Sequence, residues 1–496
     1  MRTSVVIIGS GFAGLGMAIQ LAEQGRDDFV VLEKADSLGG TWRDNTYPGC
    51  ACDVQSHLYS YSFAPNPNWT RMFAGQDEIR GYLEDLADRY RLRDRIRYGV
   101  TVTGAEFDAA EGGWTVHTAS GETIETRFVV WGTGALHEPS IPEIEGLERF
   151  SGRVFHSANW DHDHDLAGRR VAVIGTGASA IQFLPPVAER AAELTLFQRT
   201  PPWILPKLDR SISSFERWAF RAFPVLQRLY RASIYTRLEG RVFGFRHPRV
   251  MTGLQALAKA HIRRGIADPE LRAAVTPDYT LGCKRVLLSN DYYPALAQPN
   301  TEVITSALAE VRGSSVVTVD GIEREVDAII FGTGFHVTDM PIADRLIGAD
   351  GRRLSEHWKD GMAALRGCAV DGFPNLLLII GPNTGLGNSS MILMIESSLN
   401  YMADYLRTLS RTGAAALDAK PSAVAAWTEQ TQARAARTVW NTGGCKSWYL
   451  DANGRNTTAW PGTTAQFRRA TRRLELSEYE VLAPVSADAH TVGAVS

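Results

Sequence analysis

Two copies of one local pattern constrain the fold of this 496-residue chain more than any other feature. In each copy, a short run of β-branched residues leads into glycines spaced G-x-G-x-x-G or G-x-G-x-x-A, and a helical pattern follows. Strand, tight turn and helix in this order form the unit that holds a dinucleotide pyrophosphate at a helix N-terminus. We therefore predict an α/β fold with two Rossmann-like dinucleotide-binding domains.

The first copy lies at the N-terminus and contains Gly9, Gly11 and Gly14. These glycines permit, in turn, the tight turn, the close approach of a pyrophosphate and the packing of helix on strand. The next predicted strand ends at Glu33, whose carboxylate suits a free ribose hydroxyl pair and would repel a 2'-phosphate. The first nucleotide is therefore FAD or NAD, and the N-terminal position favours FAD.

The second copy contains Gly175, Gly177 and Ser179. Its second strand ends at Arg199 and Thr200 instead of an acid. A guanidinium and a hydroxyl suit the 2'-phosphate of NADPH. Two unlike nucleotide sites in one chain imply that electrons pass from NADPH to FAD.

Composition excludes some classes of function. The net charge of -3 and the pI near 6.4 argue against a nucleic-acid partner. No apolar run approaches the ~18 residues of a membrane span, and the N-terminus leads directly into a strand without room for a signal peptide. We expect a cytoplasmic protein with no integral membrane segment.

Five scattered cysteines, an odd number, are typical of a reduced intracellular protein. Cys50 and Cys52 lack the C-x-x-C spacing of zinc sites and thiol-exchange motifs, so we interpret them as packing residues. We predict no metal site.

A segment between the two copies contains Phe150, Gly152, His156, Trp160 and Asp161. At these offsets it matches the fingerprint F-x-G-x-x-x-H-x-x-x-W-(P/D), and the chain thereby resembles the type I Baeyer-Villiger monooxygenases, within the class B flavoprotein monooxygenases. The resemblance implies a hinge between the two cofactor domains. A purely structural role, in which the aromatic residues pin a linker to the sheet, is compatible with it.

A loop after the first copy strengthens this resemblance through the motifs G-G-T-W, N-x-Y-P-G and C-D. The resemblance implies that Gly40, Thr41 and Trp42 approach the flavin. It also implies that Asp53 lies near the isoalloxazine and pairs with an active-site arginine. Considered alone, an Asp in a loop rich in Gly and Pro is typical of a turn cap.

A Lys-Arg pair, Lys284 and Arg285, resembles the family segment that meets the active site. The resemblance places Arg285 over the flavin, where its charge would stabilise a peroxyflavin anion and the oxyanion formed on a carbonyl, and it gives Lys284 to the NADPH phosphate. A surface Lys-Arg dipeptide is the alternative. Near the C-terminus the match is partial, and Trp448 is a candidate for the substrate cleft.

The activity implied is that of an FAD- and NADPH-dependent monooxygenase. Through a C4a-peroxyflavin it would insert one atom of O2 beside the carbonyl of a small lipophilic ketone, giving an ester or lactone. Sulfide oxidation is an expected side activity. Three alternatives stay open: an N- or S-oxygenating flavin monooxygenase, a flavin disulfide reductase and a nucleotide-sensing module. The resemblance does not specify the substrate, the regioselectivity or the oligomeric state.

Domain boundaries follow from the order of these motifs. Residues 209–275 have helical patterns with a basic face, which indicates a helical insertion that either contacts a membrane surface or is an ordinary solvated face. The tail after Ala483 is expected to be frayed. The predicted segments are 1–140, the first part of the FAD domain; 141–208, the first part of the NADPH domain; 209–275, the insertion; 276–330, the rest of the NADPH domain; and 331–496, the rest of the FAD domain with the tail.

Overall fold

The computed structural model describes residues 1–483, so the tail predicted to be frayed lies outside the described residues. The strands are β1 Arg2–Ile8, β2 Phe29–Leu32, β3 Ile96–Arg97, β4 Val102–Asp108, β5 Gly113–Thr118, β6 Thr123–Trp131, β7 Arg153–His156, β8 Arg170–Ile174, β9 Glu193–Phe197, β10 Ile204–Leu205, β11 Leu287–Leu288, β12 Thr301–Ile304, β13 Leu308–Val311, β14 Ser315–Thr318, β15 Glu323–Glu325, β16 Ala328–Phe331, β17 Leu346–Ile347, β18 Leu376–Leu378, β19 Ala416–Ala419 and β20 Tyr479–Leu482. The α-helices are α1 Phe12–Glu23, α2 Thr41–Asp44, α3 Gln76–Arg89, α4 Ala180–Ala188, α5 Ser214–Ala222, α6 Pro224–Arg246, α7 Met251–Gly265, α8 Pro269–Ala274, α9 Tyr292–Leu296, α10 Leu354–His357, α11 Met391–Thr412, α12 Pro421–Ala435, α13 Val439–Thr442 and α14 Thr464–Ala470.

The first nucleotide unit belongs to an eight-stranded sheet of order β17-β4-β5-β6-β1-β2-β3, with β18 also paired to β6. β1 is parallel to both β2 and β6, whereas β4, β5 and β6 form an antiparallel meander. β1 and β2 are apolar along most of their length because α1 and α11 cover one face of the sheet and a second apolar cluster covers the other.

The second nucleotide unit belongs to a separate five-stranded sheet, entirely parallel, of order β12-β9-β8-β16-β7. Its core is a distinct apolar cluster that includes Val173, Phe183 and Leu196. Two dinucleotide-binding folds with mixed α/β structure are therefore present, and the predicted fold class is confirmed.

Helices α5 to α8 fill the region between β10 and β11, where the sequence predicted a helical insertion. The longest, α6, starts at Pro224, whose missing N–H costs nothing at the first helical position. A glycine turn precedes β4. Gly99 adopts a φ of 68° and turns the chain there, so β4 begins only at Val102.

Candidate active site

Both glycine turns are closed by a second strand of their own sheet. Gly9 has a φ of 95° and Gly175 a φ of 106°, a region that side-chain-bearing residues rarely adopt. A Cβ on Gly9 would lie 2.9 Å from the Gly132 carbonyl oxygen, and one on Gly175 only 2.5 Å from that of Gly332. The two turns are thus matched, each facing a G-T-G segment that follows β6 or β16.

The first turn also faces the short helix α2. A Cβ on Gly40 would lie 3.0 Å from the Cα of Gly11, so only backbone separates these two segments of the nucleotide site. Thr41 and Trp42 begin α2, and the Trp42 indole N–H donates to Tyr59 Oη over 3.2 Å. The loop predicted to meet the flavin therefore lines the same groove as the glycine turn.

Glu33 is buried at the end of β2. The Ser10 backbone N–H and hydroxyl donate to one carboxylate oxygen at 3.0 and 2.7 Å. The other oxygen accepts from the Ala35 N–H at 3.0 Å and contacts the Arg43 guanidinium at 2.8 Å. Burial alone would raise the pKa of Glu33, but these hydrogen bonds and the Arg43 charge bring the pKa below its ordinary value. Glu33 is therefore a fixed anion.

The end of β9 carries the opposite charge. Arg199 is exposed there, and Lys284 from a distant segment lies near enough for the two charges to interact. Burial and the Arg199 charge lower the pKa of Lys284, only partly opposed by Asp278. Neither cation makes a salt bridge with an acid anywhere in residues 1–483. Thr200 borders the same space, and its carbonyl accepts from the Thr176 hydroxyl at 3.2 Å.

Between the two sites, Arg285 and Asp53 form a bidentate ion pair. Nε and Nη2 of Arg285 donate to the two carboxylate oxygens at 2.7 and 2.8 Å, and Nη1 donates to the Leu386 carbonyl at 3.3 Å. The Asp53 charge raises the pKa of Arg285. Burial would raise the pKa of Asp53, but the Arg285 charge keeps it below its ordinary value. About a quarter of each side chain stays exposed, and both residues line the cavity described below.

The fingerprint segment forms the edge strand β7 and the turn after it. Gly152 is needed for close packing, because a Cβ there would lie 2.3 Å from the Asp327 carbonyl oxygen and 2.6 Å from the Phe150 ring. His156 is buried, and its Nδ1 accepts from the Ala158 N–H at 3.1 Å. Burial lowers the pKa of His156 to about 4, so its ring is neutral at pH 7.

Trp160 joins this segment to both nucleotide units. Its ring lies 5.3 Å from that of Phe183 on α4 and 6.5 Å from that of Tyr47 in the loop after α2. Asp161 accepts from Arg153 Nε at 2.9 Å and fixes the turn from outside. None of the five fingerprint residues lines the cavity, and Trp160 instead packs between the two nucleotide units.

Two contacts were not predicted from the sequence. The Arg43 salt bridge to Glu33 is one, although Arg43 directly follows the G-G-T-W motif. The other involves Gln182 on α4, which accepts from Tyr47 Oη at 3.0 Å and donates to the Ala51 carbonyl at 2.9 Å. Gln182 thereby links α4 to the loop that contains Tyr47 and Ala51. No local sequence pattern identifies this residue.

The expectation of fully reduced cysteines is wrong. Cys283 and Cys445 form a disulfide, although 162 positions separate them in sequence, because the fold brings the segment before Arg285 against the segment before Trp448. The cysteines that border the cavity are instead Cys50 and Cys52. Burial raises the pKa of Cys50 to about 11 and that of Cys52 further, so both remain protonated thiols.

The two glycine turns and the Arg285–Asp53 pair line one cavity of about 1040 Å³. Its volume is at the upper limit of ordinary small-molecule sites. Trp448 borders it with 40% of its surface exposed. Gly14 does not line it, because this residue packs behind the turn against Gly9. The other predicted residues that line it are Gly9, Gly11, Glu33, Gly40, Thr41, Trp42, Asp53, Gly175, Gly177, Ser179, Arg199, Thr200, Lys284 and Arg285.

Membrane-spanning helices and clustered metal ligands are both absent from residues 1–483. No helix there is long and apolar enough to cross a membrane. No group of three or more His, Cys, Asp or Glu side chains in the same residues is arranged to hold a metal ion.

Two dinucleotide folds that share one cavity, with an arginine–aspartate pair at their junction, define a two-nucleotide flavoprotein oxidoreductase. Residues 6–215 match a family model described as pyridine nucleotide-disulphide oxidoreductase. A Baeyer-Villiger monooxygenase of Streptomyces coelicolor is 58% identical over 97% of this chain and 93% of its own length. Another from Pseudomonas aeruginosa is 52% identical, over 96% and 91%.

Among solved structures, an oxidized steroid monooxygenase bound to NADP superposes with a TM-score of 0.86. It is 31% identical and covers 97% of this chain and 100% of its own. The chain belongs to the Baeyer-Villiger monooxygenase family. The family and enzyme class predicted from the fingerprint are thereby confirmed.

Proposed function

We propose that the Arg285–Asp53 pair is the catalytic centre of an FAD- and NADPH-dependent oxygen insertion that converts a ketone and O2 into an ester or lactone. The position of this pair carries the proposal. It lies where the two nucleotide sites meet, has its charges matched, and faces the shared cavity.

The first site fits FAD. Gly11 and Gly40 leave bare backbone on both sides of the groove where a pyrophosphate would lie. Glu33 is an ionised acceptor at the end of β2, the position that binds a ribose hydroxyl pair. Arg43 holds this carboxylate in place and offsets the cost of burying its charge.

The second site fits NADPH. Gly175 and Gly177 form its pyrophosphate turn, and Ser179 stands just before α4. Arg199 and Lys284 both line the cavity and neither forms a salt bridge within residues 1–483, which suits a doubly charged 2'-phosphate. Thr200 adds a hydroxyl beside them.

When bound, FAD accepts two electrons from NADPH and supplies the activated oxygen. Arg285 remains a cation, because its pKa is raised further by Asp53. Asp53 remains an anion, because its pKa is lowered. Neither group can protonate a neighbouring oxygen, so the pair stabilises negative charge on that oxygen and on the oxyanion of an attacked carbonyl.

This protonation state favours ketones over sulfides and amines. An anionic oxygen attacks an electrophilic carbonyl, whereas oxidation of sulfur or nitrogen requires a protonated, electrophilic oxygen. Sulfide oxidation is therefore the second candidate function. We expect its rate to rise relative to ketone oxidation only where water delivers a proton to the reacting oxygen.

The substrate is expected to be a small lipophilic ketone. Leu386, Met391 and Trp448 border the cavity and contribute apolar wall to it. We propose Trp448 as a wall of the substrate cleft, where its partly exposed ring would exclude water from the reacting carbonyl.

A product survey tests this function. The FAD-loaded enzyme is mixed with NADPH and a panel of cyclic, aryl and long-chain ketones, sulfides and amines, and the products are identified by mass spectrometry. Esters or lactones are expected from at least one ketone. Conversion of sulfides or amines alone would make the heteroatom oxygenase the better account.

We propose that the protein is cytoplasmic, because NADPH is supplied inside the cell. The Cys283–Cys445 disulfide removes the cysteine argument for it. Fractionation of cells that produce the protein tests the location, and recovery outside the cytoplasmic fraction would contradict it.

A further inference from the structure

The helical insertion exposes a disproportionate share of apolar surface. Of the 19 large hydrophobic side chains exposed in residues 1–483, ten lie in the insertion, residues 209–275. Six of these ten are close together on α5, α6 and the residue between them, and each is 44–70% exposed. Exposed patches of this kind mark interaction sites. We call these six residues the outer patch: Phe215, Trp218, Phe223, Val225, Leu226 and Leu229.

The outer patch is continuous. The rings of Phe215 and Trp218 lie 5.6 Å apart, and those of Trp218 and Phe223 lie 6.1 Å apart. Val225 and Leu229 are one helical turn apart on α6, so they share a face. The aromatic cluster of α5 thus leads directly into an aliphatic stripe on α6.

The opposite face of α6 is held by the body of the protein. Ile234 and Leu238 are buried there. Arg231 donates to the carbonyls of His57 and Ser60 at 2.7 and 2.9 Å. Because this inner face is fixed, α6 cannot rotate to bury Val225 or Leu229.

The insertion is also strongly basic. Residues 210–264 contain eleven arginines and one lysine against two glutamates, a formal charge of +10 in a chain whose total is -3. Both glutamates are engaged: Glu216 pairs with Arg210 at 2.7 Å, and Glu239 accepts from Thr464 at 3.0 and 3.1 Å. The exposed charge around the outer patch is therefore cationic.

The arginines of α6 flank the apolar stripe. Successive residues of an α-helix are about 100° apart around its axis. Viewed down α6, Arg228 therefore lies about 60° to one side of Val225, and Arg237 lies about 120° to the other side. Both arginines are exposed. An apolar stripe with aromatic residues, bordered by arginines, is the pattern of a helix that lies in the interface of a membrane.

We propose that the outer patch docks the enzyme onto a bilayer surface rich in anionic lipid. The rings of Phe215, Trp218 and Phe223 would enter the boundary between headgroups and acyl chains, while the flanking arginines contact lipid phosphates. A second copy of this chain is a poorer occupant, because pairing two insertions, residues 209–275 of each chain, would bring a formal charge of +8 against +8. The proposal is independent of the reaction at Arg285.

The test is co-sedimentation of the FAD-loaded full chain with vesicles. Vesicles of phosphatidylcholine alone are compared with vesicles of phosphatidylcholine and phosphatidylglycerol at 3:1. We expect at least tenfold tighter binding to the anionic vesicles, and a loss of that difference as salt rises and screens the charges. Equal binding to both vesicle types, or binding to neither, overturns the proposal.

Two surface double variants separate the apolar and the charge contributions. Trp218→Ser with Leu229→Ser should weaken vesicle binding at least tenfold. Arg228→Gln with Arg237→Gln should weaken it roughly 25-fold, from a factor of about five for each arginine. Unchanged ketone turnover and melting temperature establish that both variants are folded.

The matched controls are exposed residues elsewhere on the chain. Val319→Ser with Val481→Ser removes apolar surface, and Arg190→Gln removes a surface charge. These controls should bind like the unaltered protein. If they weaken binding as much as the patch variants do, the contact is non-specific and the proposal fails. The unaltered chain could instead fail to bind vesicles and self-associate, as measured by light scattering. If Trp218→Ser then abolishes the self-association, the outer patch is a protein interface and the membrane proposal fails.

Discussion

The two nucleotide sites share the conformation of their glycine turn and differ in the charge at the end of the strand beside it. In each, a glycine with a φ near 100° begins the turn and faces a G-T-G segment from another strand of the same sheet. The strand beside the turn then ends in buried Glu33 in the first site and in exposed Arg199 in the second. In the proposed assignment, the shared turn places the pyrophosphate and the residue at the strand end selects the ribose.

The sharpest way to break this comparison is to block one turn at a time. Gly9→Ala should yield protein without FAD and without activity, because its Cβ would lie 2.9 Å from the Gly132 carbonyl oxygen at a strained φ. Gly175→Ala, the matched variant, should keep its flavin absorbance and lose at least 100-fold in kcat/KM for NADPH. Loss of FAD from Gly175→Ala alone would contradict the assignment of the two sites.

Substitution of the residue at the strand end of the second site has the next largest expected effect. Arg199→Ala should raise the KM for NADPH roughly 10- to 100-fold, the cost of a lost charge-assisted hydrogen bond, and leave the KM for NADH nearly unchanged. Steady-state kinetics with both nucleotides measures this. An equal effect on both would remove Arg199 from the phosphate site.

The corresponding change in the first site should affect only the flavin. Glu33→Gln should weaken FAD binding about tenfold by removing a charged acceptor. The KM for NADPH should stay the same. Fluorescence of released FAD on dilution measures the affinity, and a shift in nicotinamide kinetics without loss of FAD would argue that the sites are reversed.

The smallest expected effect concerns pH. Glu33 has a folded pKa below its ordinary value of 4.5, so its stabilising contribution is complete above pH 4.5 and is lost as pH falls through the folded pKa. The melting temperature of the unaltered protein should therefore approach that of Glu33→Gln on acidification from pH 5 to pH 3. A gap that stays constant over this range would show that Glu33 is not held ionised.

The features that the sequence predicts lie within short contiguous segments. They are the glycine spacing, the acid after β2 and the arginine after β9, whose chemistry can be inferred without knowing the fold. The Asp53–Arg285 pair spans 232 positions, and only the family resemblance joined its two halves.

Long-range contacts without a motif were missed for the same reason. Cys283 and Cys445 meet because the segments before Arg285 and before Trp448 converge, and composition suggested free thiols instead. Gln182 contacts Tyr47 only because α4 packs beside the loop that follows α2. The exposure of Trp218 and Leu229 also depends on which face of the insertion the body covers, and the sequence left both readings open.

The central claim is that both nucleotide sites serve one oxygen insertion at Arg285. The most direct test supplies 18O2 and a converted ketone and compares NADPH consumed with labelled ester formed, in the unaltered enzyme and in Arg285→Ala. The account predicts one labelled oxygen per NADPH for the unaltered enzyme. For Arg285→Ala it predicts retained FAD and a loss of ester formation of at least about 1,000-fold. Normal yields of labelled ester from Arg285→Ala would contradict it.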